Sequence, residues 1–226
     1  MKNFFLLVVF VALFNQSFAQ DTSKTNSREL KHGIQFQVTG ILNLANFDGY
    51  TFSYRYLFNK NSGLRIGLYT NLYNVEEDIT QQVDSLTNNP PNKSDNFNLK
   101  ISVQYLHSIM SFNDFDLIIG GGPFVSFYNS ETYYESLGYS SLRKYTEKTK
   151  RTGFGLDLIL GVEYKLASNV ILSGEYGLSI SKENSDIEYN WIEEYETRNY
   201  IRSEIGESDR TIITGSSVNL GIAIFF

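Results

Sequence analysis

Apolar and polar residues alternate along much of this chain. In the stretch GFGLDLILGVEY, residues 153–164, apolar side chains occupy every second position from Phe154 to Tyr164, with Asp157 and Glu163 between them. Strict alternation predicts a β-strand with one apolar and one polar face, because successive side chains of a strand point to opposite sides. The class of protein depends on which of the two faces lies inside.

The same period of two recurs in eight segments. They cover approximately residues 33–45, 50–58, 64–75, 97–106, 115–128, 153–165, 170–181 and 211–226. Each is long enough to supply the roughly 9–11 residues with which a tilted strand crosses a bilayer. The pattern therefore predicts an all-β fold, an eight-stranded antiparallel up-and-down transmembrane β-barrel. A soluble secreted β-barrel that binds an apolar ligand inside is the alternative.

The connections and the aromatic residues favour the membrane interpretation. Three connections between segments are short, at residues 59–63, 107–114 and 167–169. The three that alternate with them are long, at residues 76–96, 129–151 and 182–210. This alternation is typical of outer-membrane barrels with short periplasmic turns, although connection 46–49 is short where a long one is expected. The apolar faces of the descending segments end in residues suited to an interfacial girdle: Tyr56, Phe58, Tyr105, Tyr164 and Phe226.

The polar faces carry four cations, Arg55, Arg65, Lys100 and Lys165, and four anions, Asp116, Asp157, Glu163 and Glu175. Inside a narrow barrel such charges must pair or keep water, because an unpaired buried charge is very costly. Eight strands enclose a space that side chains can fill. We therefore expect no open pore, but a structural cluster of lumen charges: Arg55, Arg65, Lys100, Asp157, Glu163 and Glu175.

Pro123 interrupts the fifth segment. Proline cannot donate to the hydrogen-bond ladder, and a closed barrel has no edge strand to accommodate it. We therefore expect a β-bulge at residues 121–123, which could shift the facing of residues 124–128.

The N-terminus predicts export. Lys2, an apolar run over residues 4–14 and the small-x-small residues 17–19 match a cleaved signal peptide, residues 1–19. We expect a flexible leader at 20–32 and the barrel at 33–226. The chain has no Cys, which excludes a disulfide framework and a lipid-modified N-terminal Cys. A net charge of −6 without a basic patch argues against a nucleic-acid partner.

Three stretches carry a resemblance to known proteins: GGGPFVSF at 120–127, GVEYKLASNVILSGEYGLSIS at 161–181 and VNLGIAIFF at 218–226. With these the chain resembles the small eight-stranded outer-membrane barrels similar to OmpA and OmpX, especially the PorT-like group. The resemblance implies contact with outer-membrane lipid and a structural or surface-binding role. It also implies that the barrel-assembly machinery recognises the last strand through Phe226, Ile224, Ile222, Leu220 and Val218.

We expect no catalytic, cofactor-binding or metal site. The chain has two His, and His107 stands beside Ser108 at a predicted periplasmic turn. Neighbours in a strand point to opposite faces, and no carboxylate is obviously within reach. A lipid-modifying barrel enzyme that depends on His107 is kept as an alternative. Cys and His clusters for a metal are missing, and Gly120–Gly122 precedes neither a helical pattern nor the Lys of a phosphate loop.

The long connections 76–96, 129–151 and 182–210 are the candidate sites for an external ligand or protein. Residues 182–210 are strongly acidic, whereas 129–151 combine several Tyr with Arg143, Lys144, Lys148 and Lys150. Aromatic residues mixed with charge can form a recognition surface on a rigid scaffold. The same stretches could instead extend the hairpins above the membrane as a solvated ribbon, and the two interpretations are compatible.

Overall fold

A computed structural model describes residues 30–40, 49–78, 81–83, 86–88, 91–137, 141–195, 198–215 and 218–226. Its regular structure consists of the strands β1 (His32–Thr39), β2 (Gly49–Asn59), β3 (Ser62–Asp78), β4 (Gln81–Val83), β5 (Leu86–Asn88), β6 (Pro91–Phe112), β7 (Phe115–Leu137), β8 (Ser141–Ala167), β9 (Val170–Tyr195), β10 (Asn199–Gly215) and β11 (Asn219–Phe225). Within these ranges there is no helix with the length and apolar character to span a membrane. The predicted signal peptide lies outside the described residues, as does most of the leader.

Nine strands form one antiparallel sheet that closes on itself. The order is β10-β9-β11-β1-β2-β3-β6-β7-β8, and β8 pairs with β9 to complete the ring. Residues 170–175 of β9 pair with β11 and residues 178–194 pair with β10. The last two strands therefore follow each other along one edge of β9, so nine strands occupy eight positions around the barrel. This confirms the predicted eight-stranded barrel. Strands β4 and β5 form a separate hairpin.

The apolar faces of the strands point outward. On β8, Leu156 and Leu158 are 57% and 53% exposed, whereas Asp157 between them is 5% exposed. A soluble barrel with an apolar core would show the reverse. Outward apolar rows and a polar interior are the arrangement that a barrel adopts when its outer solvent is lipid.

Short turns and aromatic residues mark one end of the barrel. Turns at residues 60–61, 113–114 and 168–169 join the strands there, close to the predicted positions. Asn113 adopts a positive φ of 53°, a conformation that its short polar side chain tolerates. Three of the predicted girdle residues contact one another at this end: the rings of Tyr56 and Phe58 lie 5.6 Å apart, and those of Phe58 and Tyr105 lie 6.5 Å apart.

The strands continue far beyond the predicted segments. Strand β8 begins at Ser141 and β9 ends at Tyr195, so the predicted long connections 76–96, 129–151 and 182–210 are mainly strand. The interpretation of these stretches as ribbons that extend the hairpins is therefore confirmed. The predicted segments were too short because apolar and polar residues need not alternate where a strand leaves the lipid. We call residues 130–137, 141–152, 182–195 and 199–212 of β7 to β10 the projecting sheet. The first segment also differs: β1 ends at Thr39, and residues 41–45 lie outside the described residues.

The predicted bulge at residues 121–123 is wrong. Strands β7 and β8 keep one register through Gly122↔Asp157 and Pro123↔Leu156. The β6–β7 ladder has the same register on both sides of Pro123, although the pairs of Gly122 and Pro123 themselves with β6 are missing. A Cβ on Gly122 would lie 2.0 Å from the Val103 carbonyl oxygen, so this glycine permits a close approach of the strands. The proline thus removes local pairing without shifting the strand.

Candidate functional site

A network of buried side chains crosses the barrel interior. Arg65 Nη1 donates to Glu175 Oε1 at 2.7 Å, and Arg65 Nε donates to Gln104 Oε1 at 2.8 Å. Gln104 donates in turn to Asp157 at 3.0 Å, and Lys100 Nζ donates to the same carboxylate at 2.7 Å. Because these residues come from β3, β6, β8 and β9, the network joins opposite walls. We call it, together with the pair Arg55–Glu163, the barrel floor.

The predicted lumen charges all meet a partner of opposite sign. Arg55 and Glu163 form an ion pair of 2.5 Å, with both side chains almost fully buried. Lys165 pairs with Asp116 at 2.9 Å, where the lysine is 47% exposed. The structure therefore brings the four cations and four anions together as Arg55–Glu163, Arg65–Glu175, Lys100–Asp157 and Lys165–Asp116.

Neutral side chains that the sequence analysis did not single out complete the floor. Gln35 Nε2 donates to Ser173 Oγ at 2.9 Å, and Ser179 Oγ donates to Asp157 at 2.6 Å. Gln35 is fully buried. A glutamine on the polar face of an alternating segment was the available signal, because a buried amide needs hydrogen-bond partners.

Above the floor the lumen widens into a vestibule. Two cavities of about 310 and 340 Å³ share lining residues and so form one space: Tyr69, Asn98, Lys100, Ser179 and Thr214. The upper cavity extends to Tyr128 and Arg151, level with the top of the outward apolar row. Lys100 lies 3.9 Å above the ring of Phe124, and Arg151 lies 4.8 Å from that of Tyr128.

The proposed assembly residues lie at the closure of the barrel. In β11, Ile222 pairs with Phe36 of β1, and Ile224 pairs with Ile34. Phe226 is 51% exposed and its ring stacks on His32 at 6.4 Å. The structure thus leaves Leu220, Ile222, Ile224 and Phe226 on one outward row, with Val218 just before the strand.

His107 does not meet Ser108 in the structure. Its Nδ1 lies 2.9 Å from Ser62 Oγ, which also accepts a hydrogen bond from the Tyr105 hydroxyl at 3.0 Å. Ser62 is only 8% exposed, and among the described residues no carboxylate is hydrogen-bonded to His107. Ser62 thus joins His107 and Tyr105, a residue of the predicted girdle, through hydrogen bonds. In the described ranges no cluster of three or more His, Asp and Glu could hold a metal ion.

The projecting sheet carries a cluster of aromatic rings on its inward face. Tyr145 and Trp191 are 5.5 Å apart, and Tyr189 and Trp191 are also 5.5 Å apart with their planes at 24°. The Arg202 guanidinium lies 5.6 Å from the Trp191 ring. Burial and a hydrogen bond to Glu147 raise the pKa of Tyr145 to about 12, so its hydroxyl is a stable donor.

The outward face of the same sheet is dominated by paired charges. Lys148 pairs with Glu131 at 3.1 Å, and Lys144 pairs with Glu194 at 2.9 Å. The hydrogen bond from Lys144 to Glu194 raises the pKa of the lysine. The two faces therefore differ in chemistry, although both lie beyond the lipid-facing rows.

The chain is similar to three solved crystal structures. A major outer membrane protein from Thermus thermophilus has 14% sequence identity and a TM-score of 0.47, with 87% of this chain and 98% of that chain covered. Acinetobacter baumannii CarO2 has 12% identity and a TM-score of 0.45, covering 87% and 99%. Acinetobacter baumannii CarO has 11% identity and a TM-score of 0.41, covering 90% and 100%. A search of curated proteins finds no match.

The family comparison covers most of the chain. The family model described as the outer membrane protein beta-barrel domain matches residues 5–203. The closed ring of strands, the outward apolar rows and the buried charges agree with that match. The chain therefore belongs to the outer membrane protein β-barrel domain family and is a protein of the outer membrane.

Proposed function

We propose that this protein is a non-conducting outer-membrane barrel with a structural or surface-binding role, whose projecting sheet presents the binding surface. The observation that carries the proposal is the barrel floor. Its ion pairs Arg55–Glu163 and Arg65–Glu175 are buried and join β2 to β8 and β3 to β9 across the lumen. Charges that satisfy one another at hydrogen-bond distance leave no reason for a continuous water path at that level.

The floor can be tested by conductance. Purified protein in a planar lipid bilayer is expected to give no current steps above those of the lipid alone. A variant with Arg55, Arg65, Glu163 and Glu175 all replaced by Ala removes the floor and is expected to conduct. Steps of current from the wild-type protein would overturn the closed-lumen proposal.

The projecting sheet is the second part of the proposal. It continues β7 to β10 beyond the lipid-facing rows, and its charges are held in cross-strand pairs such as Arg143–Glu193 at 2.7 Å. Backbone pairing and side-chain pairs keep such a surface rigid, as a recognition surface requires. Because the ring of strands closes below it, we expect the barrel to fold without it.

A variant with shortened hairpins tests whether the barrel folds without the projecting sheet. A variant that lacks residues 131–148 and 183–208, with short turns in their place, is expected to enter the membrane and to show the heat-dependent gel shift of a closed barrel. Loss of the shift would mean that the sheet is needed for folding, and would contradict its role as a surface that is free to bind.

We propose no enzymatic activity. The contact of His107 with Ser62 supports a structural role, since the serine is buried behind Tyr105 and His107. Replacement of His107 by Gln tests this. It is expected to leave phospholipid and lipopolysaccharide acyl chains unchanged in cells, and a loss of acyl-chain trimming would favour the enzyme alternative.

A further inference from the structure

Aromatic residues of the projecting sheet are concentrated on one face. Strands β8 and β9 have no register shift between the lumen residues Asp157 and Glu175 and the outer ends of the strands. Alternate residues counted from Asp157 and Glu175 therefore define the inward face of the whole projecting sheet. Of the described aromatic residues in this sheet, Tyr133 points outward and the following point inward: Tyr134, Tyr145, Tyr189, Trp191, Tyr195 and Tyr200.

This asymmetry needs a reason beyond sheet stability. The projecting sheet stands above the lipid-facing rows, so neither face meets hydrocarbon. Aromatic residues stabilise a pleated surface on either face. Their placement on one face is the distribution expected of a face that binds a ligand.

The geometry at the centre of the face suits a flat, ring-shaped ligand. Tyr145, Tyr189 and Trp191 form a cluster that we call the platform, with ring centroids 5.5–6.2 Å apart and ring planes inclined at 24–48° to one another. A cavity of about 330 Å³ adjoins it, within the range of small-molecule sites. Its lining comprises six inward residues and two outward ones: Tyr134, Ser136, Arg143, Tyr145, Trp191 and Glu193, with Lys144 and Ile192.

The polar groups around the platform exclude several ligand classes. The inward face offers four cations, Arg143, Arg151, Arg202 and Arg210, and four anions, Glu147, Glu183, Glu193 and Glu204. Three of the cations are held in the pairs Arg143–Glu193, Arg202–Glu204 and Arg210–Glu183, so the face has no excess of positive charge and does not favour a phosphate or a nucleic acid. The paired guanidinium and carboxylate groups provide donors and acceptors together, which an aliphatic lipid cannot use.

We propose that this aromatic face binds the sugar rings of a neutral polysaccharide. The C–H faces of pyranose rings would stack on Tyr145, Tyr189 and Trp191, and ring hydroxyls would bond the Arg143–Glu193 pair and Glu147. The inference rests on the proposed surface-binding role and specifies its ligand class. The sugar could be part of a free polysaccharide or of lipopolysaccharide, since both present the same rings.

Trp191, the one tryptophan of the chain, provides the reporter. The full-length protein in detergent micelles would be titrated with cellohexaose, maltohexaose and the polysaccharide released from lipopolysaccharide by mild acid, with sorbitol as a hydroxyl-rich control that has no ring. A saturable change in Trp191 fluorescence is expected with at least one saccharide and none with sorbitol. The saccharide that saturates at the lowest concentration identifies the source.

The chain offers a matched pair of variants. Tyr145 and Tyr133 both donate to a glutamate two residues later, Glu147 and Glu135, but they lie on opposite faces. Tyr145→Ala is expected to weaken saccharide binding about five- to tenfold, and Tyr133→Ala to change it less than about twofold. Both variants must retain the heat-dependent gel shift; if Tyr145→Ala does not, Tyr189→Ala takes its place.

Two results would overturn the inference: no saturable response to any of the three saccharides, or equal losses in the inward and outward variants. Neither result would affect the conductance of the barrel or the gel shift of the shortened variant. Failure of the saccharide inference is therefore distinguishable from failure of the proposed function.

Discussion

The barrel floor predicts an unusual dependence of stability on one arginine. Arg65 is buried and donates to Glu175 at 2.7 Å, to Gln104 at 2.8 Å and to Gln35 at 3.4 Å. Arg65→Met keeps most of the side-chain volume but leaves the Glu175 carboxylate without its cation. Breaking a buried pair in this way costs about 3–5 kcal/mol of unfolding free energy.

The double variant Arg65→Met/Glu175→Leu distinguishes the cost of leaving one charge unpaired from the cost of removing the pair. Removal of both charges leaves no uncompensated ion, although Gln35 and Gln104 lose partners at about 1–3 kcal/mol each. We therefore expect a double variant that is more stable than the sum of the single changes by at least about 2 kcal/mol. The assay is urea unfolding in lipid vesicles, with the folded fraction read from the gel shift.

An exposed pair of the same kind serves as the control. Lys93 and Glu76 are 2.5 Å apart on β6 and β3, but their side chains are 51% and 60% exposed. Lys93→Met is expected to cost less than about 1 kcal/mol because water screens such pairs. If Arg65→Met lowered the unfolding free energy no more than Lys93→Met, this would show that the floor is not a dry ionic network.

Three further predictions follow from single positions. Gly122→Val, whose Cβ would lie 2.0 Å from a carbonyl oxygen, should reduce the yield of heat-shifting protein, whereas Gly206→Val has open space and should not. Leu158→Arg on the lipid-facing row should lower the unfolding free energy by about 2–4 kcal/mol, while Ile205→Arg on β10 should change it by less than about 0.5 kcal/mol in the same urea assay. The phenol of Tyr145 should ionise near pH 12 in the absorbance difference between wild type and Tyr145→Phe, since burial raises its pKa. Because the folded pKa lies above the unfolded value of about 10, the stability from this tyrosine is present below pH 10 and is lost between about 10 and 12. A midpoint near 10 would contradict the effect of the hydrogen bond to Glu147.

The membrane-crossing part of the fold could be predicted from the sequence because lipid imposes the pattern. Residues such as Leu156 and Leu158 must be apolar where they meet hydrocarbon, and the pleat places Asp157 opposite them. Alternation therefore predicts both where the strand lies and which of its side chains face the lipid. Beyond the membrane the constraint disappears, so the stretch from Ser141 to Thr152 shows no apolar row. An extension of the hairpin could be expected there, but the bounds and the facing of its strand could not be predicted.

The composition of the floor could be predicted, but its pairing could not. Alternation places Arg65 and Glu175 on polar faces, yet they are 110 residues apart in sequence and meet across the barrel interior. Which cation meets which anion depends on strand order and register, and above all on the closure of β1 against β11. Pro123 illustrates the same limit: a bulge was a reasonable expectation, but close approach at Gly122 preserves the register instead.

The aromatic face can be recognised only when the sequence pattern and the strand register are combined. The motif Tyr-x-Glu occurs at Tyr133 and at Tyr145, and nothing in the sequence distinguishes the two. The difference follows from parity: Tyr145 lies an even number of residues from Asp157 along an unshifted strand, so it shares the face of the lumen. That face is continuous with the lumen, which the ion pairs Arg55–Glu163 and Arg65–Glu175 cross below it. Under the proposed function, a ligand held there would be retained at the cell surface without a route through the barrel. A closed floor and an aromatic wall would then together favour recognition over transport.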